Sequence, residues 1–165
     1  MTNTLLVSEK HIKNYSIIEH NVDGKVLKPV LINVQETQLK AILGKELYQD
    51  VIDAVNTSQN DSIPIADTVK EMLDDYIVPF LVFAALADFI VINNYKLSNK
   101  GLMKLNDNGA TTATAQELEY VKNYYDNYLS TYKNNLIQYL KDRNLSIRGT
   151  DKDITSPSIG WYLGD

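Results

Sequence analysis

The chain has 165 residues, 44% of them hydrophobic, and a formal net charge of −5, enough for one domain with a real core. The acidic balance, with no visible cluster of Lys and Arg, disfavours a free-standing nucleic-acid binder, whose footprint is a basic patch. The lack of any cysteine excludes disulfides, thiolate zinc sites and cysteine nucleophiles, and the opening MTNTLLVSEKHIKNY has no apolar run to mark it for secretion.

Ser8 is placed to cap a short helix from Glu9 to about Tyr15, with Ile12 and Tyr15 facing inward. The following stretch ends in the turn signal Asp23-Gly24, and His20 just before it reads as a solvated loop histidine. A helix is expected from about Leu27 to Leu43, with Leu27, Val30, Leu31, Val34, Ala41 and Ile42 on one face and Pro29 in its first turn. Gly44 marks a helix end or sharp bend. Leu47, Tyr48, Val51, Ile52 and Val55 then repeat the apolar stripe, and Asn56 to Pro64 reads as a polar loop.

Residues 67–94 hold the densest apolar run in the chain. From Tyr76 to Ile92 only Asp88 is charged, and apolar residues occupy every side of the projected helix. Such a helix is buried all round, so it is expected at the centre of the fold, with Asp67 as N-cap and a kink or restart near Pro79. A membrane span needs about 18 or more apolar residues. The uncharged run framed by Asp75 and Asp88 is shorter, so no membrane role is expected.

Residues 95–116 read as a long connection with a short extended segment from Lys100 to Leu105 and a turn at Asn108-Gly109. Loops this long are usually functional or become ordered on a partner. Thr114 and Glu117 have the spacing of a capping box and open a last helix to about Asp142. On it Leu118, Val121, Tyr125, Tyr128, Tyr132, Leu136 and Tyr139 form one stripe, while Tyr120, Tyr124 and Asn127 lie on an extra face suited to another subunit. Residues 143–165 show neither helical nor strand period. Ile159, Trp161, Tyr162 and Leu163 are too apolar for a solvated tail, so this arm either folds back on its own domain or docks on a neighbouring subunit.

No catalytic constellation emerges. His11 and His20 form no HExxH pattern, and Gly44-Lys45-Glu46 lacks the rest of a phosphate loop. Asn106 to Gly109 has a calcium-loop look, but in that frame position one is Lys104 and position twelve Ala115, so the bidentate carboxylate is missing. Asp74/Asp75 and Glu117/Glu119 read as solvated faces. No enzyme activity, cofactor or metal is expected. The fold class is all-α, four to five helices around the central helix 67–94, with a helical domain at 1–142 and an extended C-terminal arm at 143–165.

Four stretches, in order, carry a resemblance: LLVSEKHIKNYSII near the start, ILGKELYQDV at 42–51, MLDDYIVPFLVFAAL at 72–86, and the Asn-Lys-Gly turn at 99–101 followed by a polar loop and a long Tyr-rich helix from Glu117. With the closing WYLGD, they resemble the small helical head–tail connector (adaptor, head-completion) proteins of tailed bacteriophages, closest to those of crAss-like phages infecting Bacteroidota. The resemblance covers about residues 5–142. It implies a virion protein that forms a homo-oligomeric ring, commonly of twelve copies, beneath the portal protein. Such a ring continues the DNA channel toward further ring or tail proteins and has no enzymatic activity. An acidic chain suits a conduit through which dsDNA slides without the grip of basic side chains. The loop, with Lys100, Leu102 and Met103, the arm, with Ile159, Trp161, Tyr162 and Leu163, and the face of Tyr120 and Tyr124 are then the expected contacts with neighbours or portal. On this view the arm orders only on assembly. The rival reading is a small helical regulatory or antitoxin-like module that uses the same aromatic arm in a partner's groove. A small helical enzyme would need a polar pocket, and the residues point to none.

Overall fold

The computed structural model describes residues 4–16, 18, 24–93, 95–98, 101–104 and 113–145. They form an all-α bundle of five helices with one small hairpin. Helix α1, Glu9–Tyr15, starts where Ser8 Oγ accepts the backbone N–H of His11 at 3.1 Å. Ile12 is buried as expected, but Tyr15 points outward and stacks on His11 one turn back, with ring centroids 4.5 Å apart.

Helix α2 covers residues 24–43. It begins at Gly24, earlier than the Leu27 expected, so exposed Pro29 lies in its second turn rather than its first. The Glu9 carboxylate sits against Gly24 where a Cβ would otherwise project, and an anion at that end of a helix is favourable. Gln35–Leu39 is a π turn. One extra residue in a turn rotates everything after it. The buried face therefore runs Leu27, Val30, Leu31, Val34, Leu39, Ile42 and Leu43, and Ala41, placed inward by an uninterrupted period, is exposed. Gly44 ends the helix with φ 76° and ψ 164°, a conformation nearly confined to glycine. Its N–H donates to the Lys40 carbonyl, and its own carbonyl accepts from Tyr48 N, opening α3, Lys45–Asp61. Residues 56–61, expected as loop, continue α3 for more than a turn. Nothing in Asn56–Asp61 breaks a helix, and the stop comes at Ser62 in the left-handed region, two residues before Pro64.

Helix α4, Asp67–Ile92, is the central element. Ala66 occupies the N-cap position and Asp67 is the first helical residue, so Asp67 acts on the macrodipole rather than as the expected cap. The chain passes Pro79 without breaking. A second π turn, Leu73–Ile77, widens the helix just ahead of the proline, relieving the clash of its ring with the preceding turn. Phe80, Leu81, Ala84, Ala85 and Leu86 are buried on successive sides, under α2 and α5. The helix is long and apolar enough to cross a membrane by length and composition, but half of its most apolar window is buried inside the bundle. Its sequence is that of a core helix packed on several faces.

Strands β1, Tyr95–Ser98, and β2, Gly101–Lys104, form an antiparallel hairpin with Ser98 opposite Gly101. This is the extended segment expected near Lys100–Leu105, now paired. Helix α5, Ala115–Asp142, opens on the expected capping box. The Thr114 side chain accepts from Glu117 N at 3.2 Å, and Glu117 Oε2 accepts from Thr114 N at 2.8 Å. It ends on Asn144 in the left-handed region, with Asn144 N bonded to the Lys141 carbonyl and Leu145 N to the Leu140 carbonyl. That pair of bonds is a Schellman cap. Arg143 reaches both oxygens of Glu71 at 2.9 Å, and Leu145 packs on the core. Residues 143–145 thus pack with the helical domain.

Candidate interaction surface

Spacings of four on α5 put Tyr120, Tyr124 and Tyr128 on one face, and they are 76%, 50% and 41% exposed. The Tyr124 hydroxyl donates to that of Tyr128 at 3.2 Å, their rings are 5.0 Å apart, and Tyr124 meets Tyr125 edge-on at 5.3 Å. The Tyr124 phenol is raised above its ordinary pKa, chiefly by the bond to Tyr128. Only Tyr125 of this group is buried. From α4, Phe83 stacks on Tyr128 at 5.3 Å and on Tyr132 at 4.8 Å, so the tyrosine ladder continues across the α4–α5 seam.

Phe83 and Tyr132 also form one wall of an open groove of about 820 Å³, whose other wall is the His11–Tyr15 stack. Leu6, Val78 and Val82 also line it, and Ser8 and Asp74 bring polar atoms to it. Tyr15 is 70% exposed. The aromatic surface therefore has two parts, a convex ladder on α5 and a concave groove between α1, α4 and α5, joined at Phe83.

Beside the ladder, Lys122 pairs with Asp126 one turn on. Burial raises the Asp88 carboxyl on α4; Lys122 partly offsets this and Asp126 adds to it. This half-buried charge group lies in the seam between α4 and α5.

A second polar cluster fixes the floor of the fold. Gln35, in the first π turn, is buried. Its Oε1 accepts from Leu6 N at 3.0 Å, and its Nε2 donates to the Thr4 carbonyl at 2.8 Å and to the Tyr48 hydroxyl at 3.1 Å. Tyr48 in turn donates to Glu36 at 2.6 Å, and Glu36 pairs with Lys40 at 2.8 Å. Burial, then the Glu36 bond, pushes the Tyr48 phenol up to about 12, and the bond to Lys40, then that to Tyr48, holds the Glu36 carboxyl below its usual value. This chain of bonds ties residues 4–6, which begin the groove wall, to α2 and α3.

Of the residues expected at contacts, Tyr120 and Tyr124 stand exposed on α5, and Leu102 and Met103 fall within β2. Lys100, Ile159, Trp161, Tyr162 and Leu163 lie outside the described residues, as does His20. His11 is engaged in the groove wall. Phe83 and the Gln35 clamp were not foreseen. One Phe of three in a densely apolar helix and a Gln in an amphipathic one carry no signal of their own. Among the described residues no group of three or more His, Cys, Asp or Glu is arranged to hold a metal ion.

A family model described as "Family of unknown function (DUF6712)" matches residues 39–148. The match runs from the last turn of α2, through the Gly44 bend and the central helix, to just past the end of α5. No curated protein and no solved structure matches the chain significantly.

Proposed function

We propose that this chain, which belongs to the DUF6712 family, is a structural subunit of a tailed-phage head–tail junction. It assembles with copies of itself, commonly twelve, into a ring beneath the portal protein, joins capsid to tail, and does no chemistry. The observation that carries the reading is the ladder of Tyr120, Tyr124 and Tyr128. Single exposed apolar residues are ordinary, but three large rings in line on one helix face make an interaction surface. Tyrosine suits a face that is wet before assembly and dry after it, because the ring is apolar while the hydroxyl holds water or a partner.

The resemblance of four ordered stretches to phage connectors supports the same reading, and two of them, at 42–51 and 72–86, lie inside the matched family region. The net charge of −5 suits a ring whose channel passes DNA without holding it. The hairpin, with Leu102 and Met103, is the further candidate contact with portal or neighbour.

The test is mass by light scattering on the purified chain, alone and mixed with the portal protein of the same genome, followed by microscopy. The expected result is a large complex and rings on mixing. A stable monomer or dimer in both samples overturns the reading in favour of a soluble protein-binding module.

A further inference from the structure

Residues 4–8 run from Thr4 to Ser8 without regular secondary structure and lead into α1. Leu6 and Val7 are buried, yet the segment has open space on two sides. Leu6, Val7 and Ser8 line the groove of about 820 Å³. Thr4, Leu5, Leu6 and Ser8 line a second open groove, of about 980 Å³, which Lys28 of α2 and Asn56 of α3 also line. Leu6, Ser8 and Leu73 of α4 are common to both. The segment is therefore a partition between two grooves rather than a layer of the bundle.

Its fastening is specific. Among the described residues Gln35 is the one buried polar side chain. Its Oε1 accepts from Leu6 N and its Nε2 donates to the Thr4 carbonyl, so one amide serves the two backbone groups that flank Leu5. A side-chain amide can do this because it carries both a donor and an acceptor. The Tyr48 hydroxyl, which also accepts from Nε2 and donates to Glu36, fixes which way round the amide sits. The Thr4 hydroxyl adds a bond to Asn56 Oδ1.

An apolar side chain at position 35 would fill the same space in the bundle. The amide adds a fastening that is satisfied in two states. With the segment seated, its polar atoms pair with backbone. With the segment lifted, the open grooves bring water to the same atoms, and no polar group is left buried and unpaired.

We infer that residues 4–8 are a strap that opens as a unit, apart from the rest of the fold, with Gln35 as its latch. Opening joins the two grooves over Leu73 and uncovers the seats of Leu6 and Val7, while fully buried Ile12 keeps α1 in place. A segment held by a few contacts opens at a lower free energy than the global transition. The strap thus hides an apolar trough in the closed subunit and exposes it without unfolding the bundle. The inference is independent of the ring reading.

The test exploits the absence of cysteine from the chain. A single thiol is introduced by Val7→Cys in the strap or, as the reference, by Val51→Cys in α3, both at buried valines, and its reaction with Ellman's reagent is timed in the folded full chain. The strap thiol is expected to react roughly tenfold faster or more than the reference thiol. Low urea should hardly change its rate and should speed the reference steeply, because urea sensitivity scales with the surface an opening exposes. Gln35→Met, which keeps an unbranched side chain but removes the amide, is expected to raise the ratio of the two rates by about tenfold or more. Asn56→Ala, which removes only the bond to Thr4, should raise it less. Three results overturn the inference. The first is equal rates with the same urea dependence, which would mean that the strap opens only with the whole fold. The second is a strap thiol that reacts as fast as in the unfolded chain, which would mean that nothing latches it. The third is a ratio unchanged by Gln35→Met, or by Asn56→Ala if Gln35→Met does not fold. All are read on the isolated subunit, so this proposal and the ring reading fail separately.

Discussion

Gly44 and Tyr48 are a turn apart, and each carries a burden no other residue type meets as well. With φ 76° and ψ 164°, any Cβ at position 44 is strained, so Gly44→Ala is expected to lower stability by roughly 1–3 kcal/mol. The check is a fall in the urea midpoint with the slope unchanged. Tyr48 makes a pH-dependent contribution. Its folded phenol titrates near 12 against an ordinary 10. A raised folded value means the stabilisation is complete below pH 10 and lost as pH rises toward 12. Its size is at most about 2–3 kcal/mol, reduced by solvent screening at the partly exposed Glu36. The stability gap between wild type and Tyr48→Phe should therefore be flat in neutral and mildly alkaline solution and narrow across that window. A gap that stays constant to the end of it would show that the phenol ionises as freely folded as unfolded.

At the scale of elements, caps and turns decide where helices begin and how they face. The Thr114–Glu117 box satisfies orphan donors at the start of α5, the turn that carries buried Leu118 and exposed Tyr120. Thr114→Ala is expected to cost about 1 kcal/mol, with faster amide exchange confined to that first turn, and Thr114→Ser to restore most of it. This box was legible in the sequence, as were the Ser8 cap, the Gly44 bend, the central apolar run of α4 and the exposed Tyr120–Tyr124 face. Each is written in neighbouring residues or a simple period. The two π turns were not legible, because reading a period assumes that every turn has the same number of residues. They explain why Ala41 is exposed and why Pro79 leaves α4 unbroken. The run 56–61 read as loop by composition, yet composition does not stop a helix that lacks a breaker. Tyr15 looked inward on a helix too short to define a face. The groove and the Gln35 clamp join segments far apart in the chain, and no local pattern announces them.

At the scale of the whole molecule, the functional question is which surface the fold leaves unfinished. The core is closed around α4, the Gln35 cluster is satisfied, and no buried side-chain nitrogen or oxygen among the described residues lacks a partner. Among the described residues, the large rings left most open are Tyr120 and Tyr124 of the ladder and Tyr15 at the groove rim. If the ladder is a subunit contact, its rings contribute little to the monomer and much to assembly. Truncating a central interface tyrosine costs about 2 kcal/mol or more in binding, and two in one patch should weaken association by roughly three orders of magnitude if their effects add. The double variant Tyr120→Ser/Tyr124→Ser should therefore keep the wild-type melting temperature and helical signal yet fail to form large complexes with the portal at concentrations where wild type does. Tyr15→Ser, equally exposed but on the groove rim, is the matched control and should assemble normally. Full assembly by the double variant would remove the ladder from the interface and direct attention to the hairpin at 95–104. Loss of folding in the double variant would show that these rings serve the monomer's own core, against the exposure seen for them.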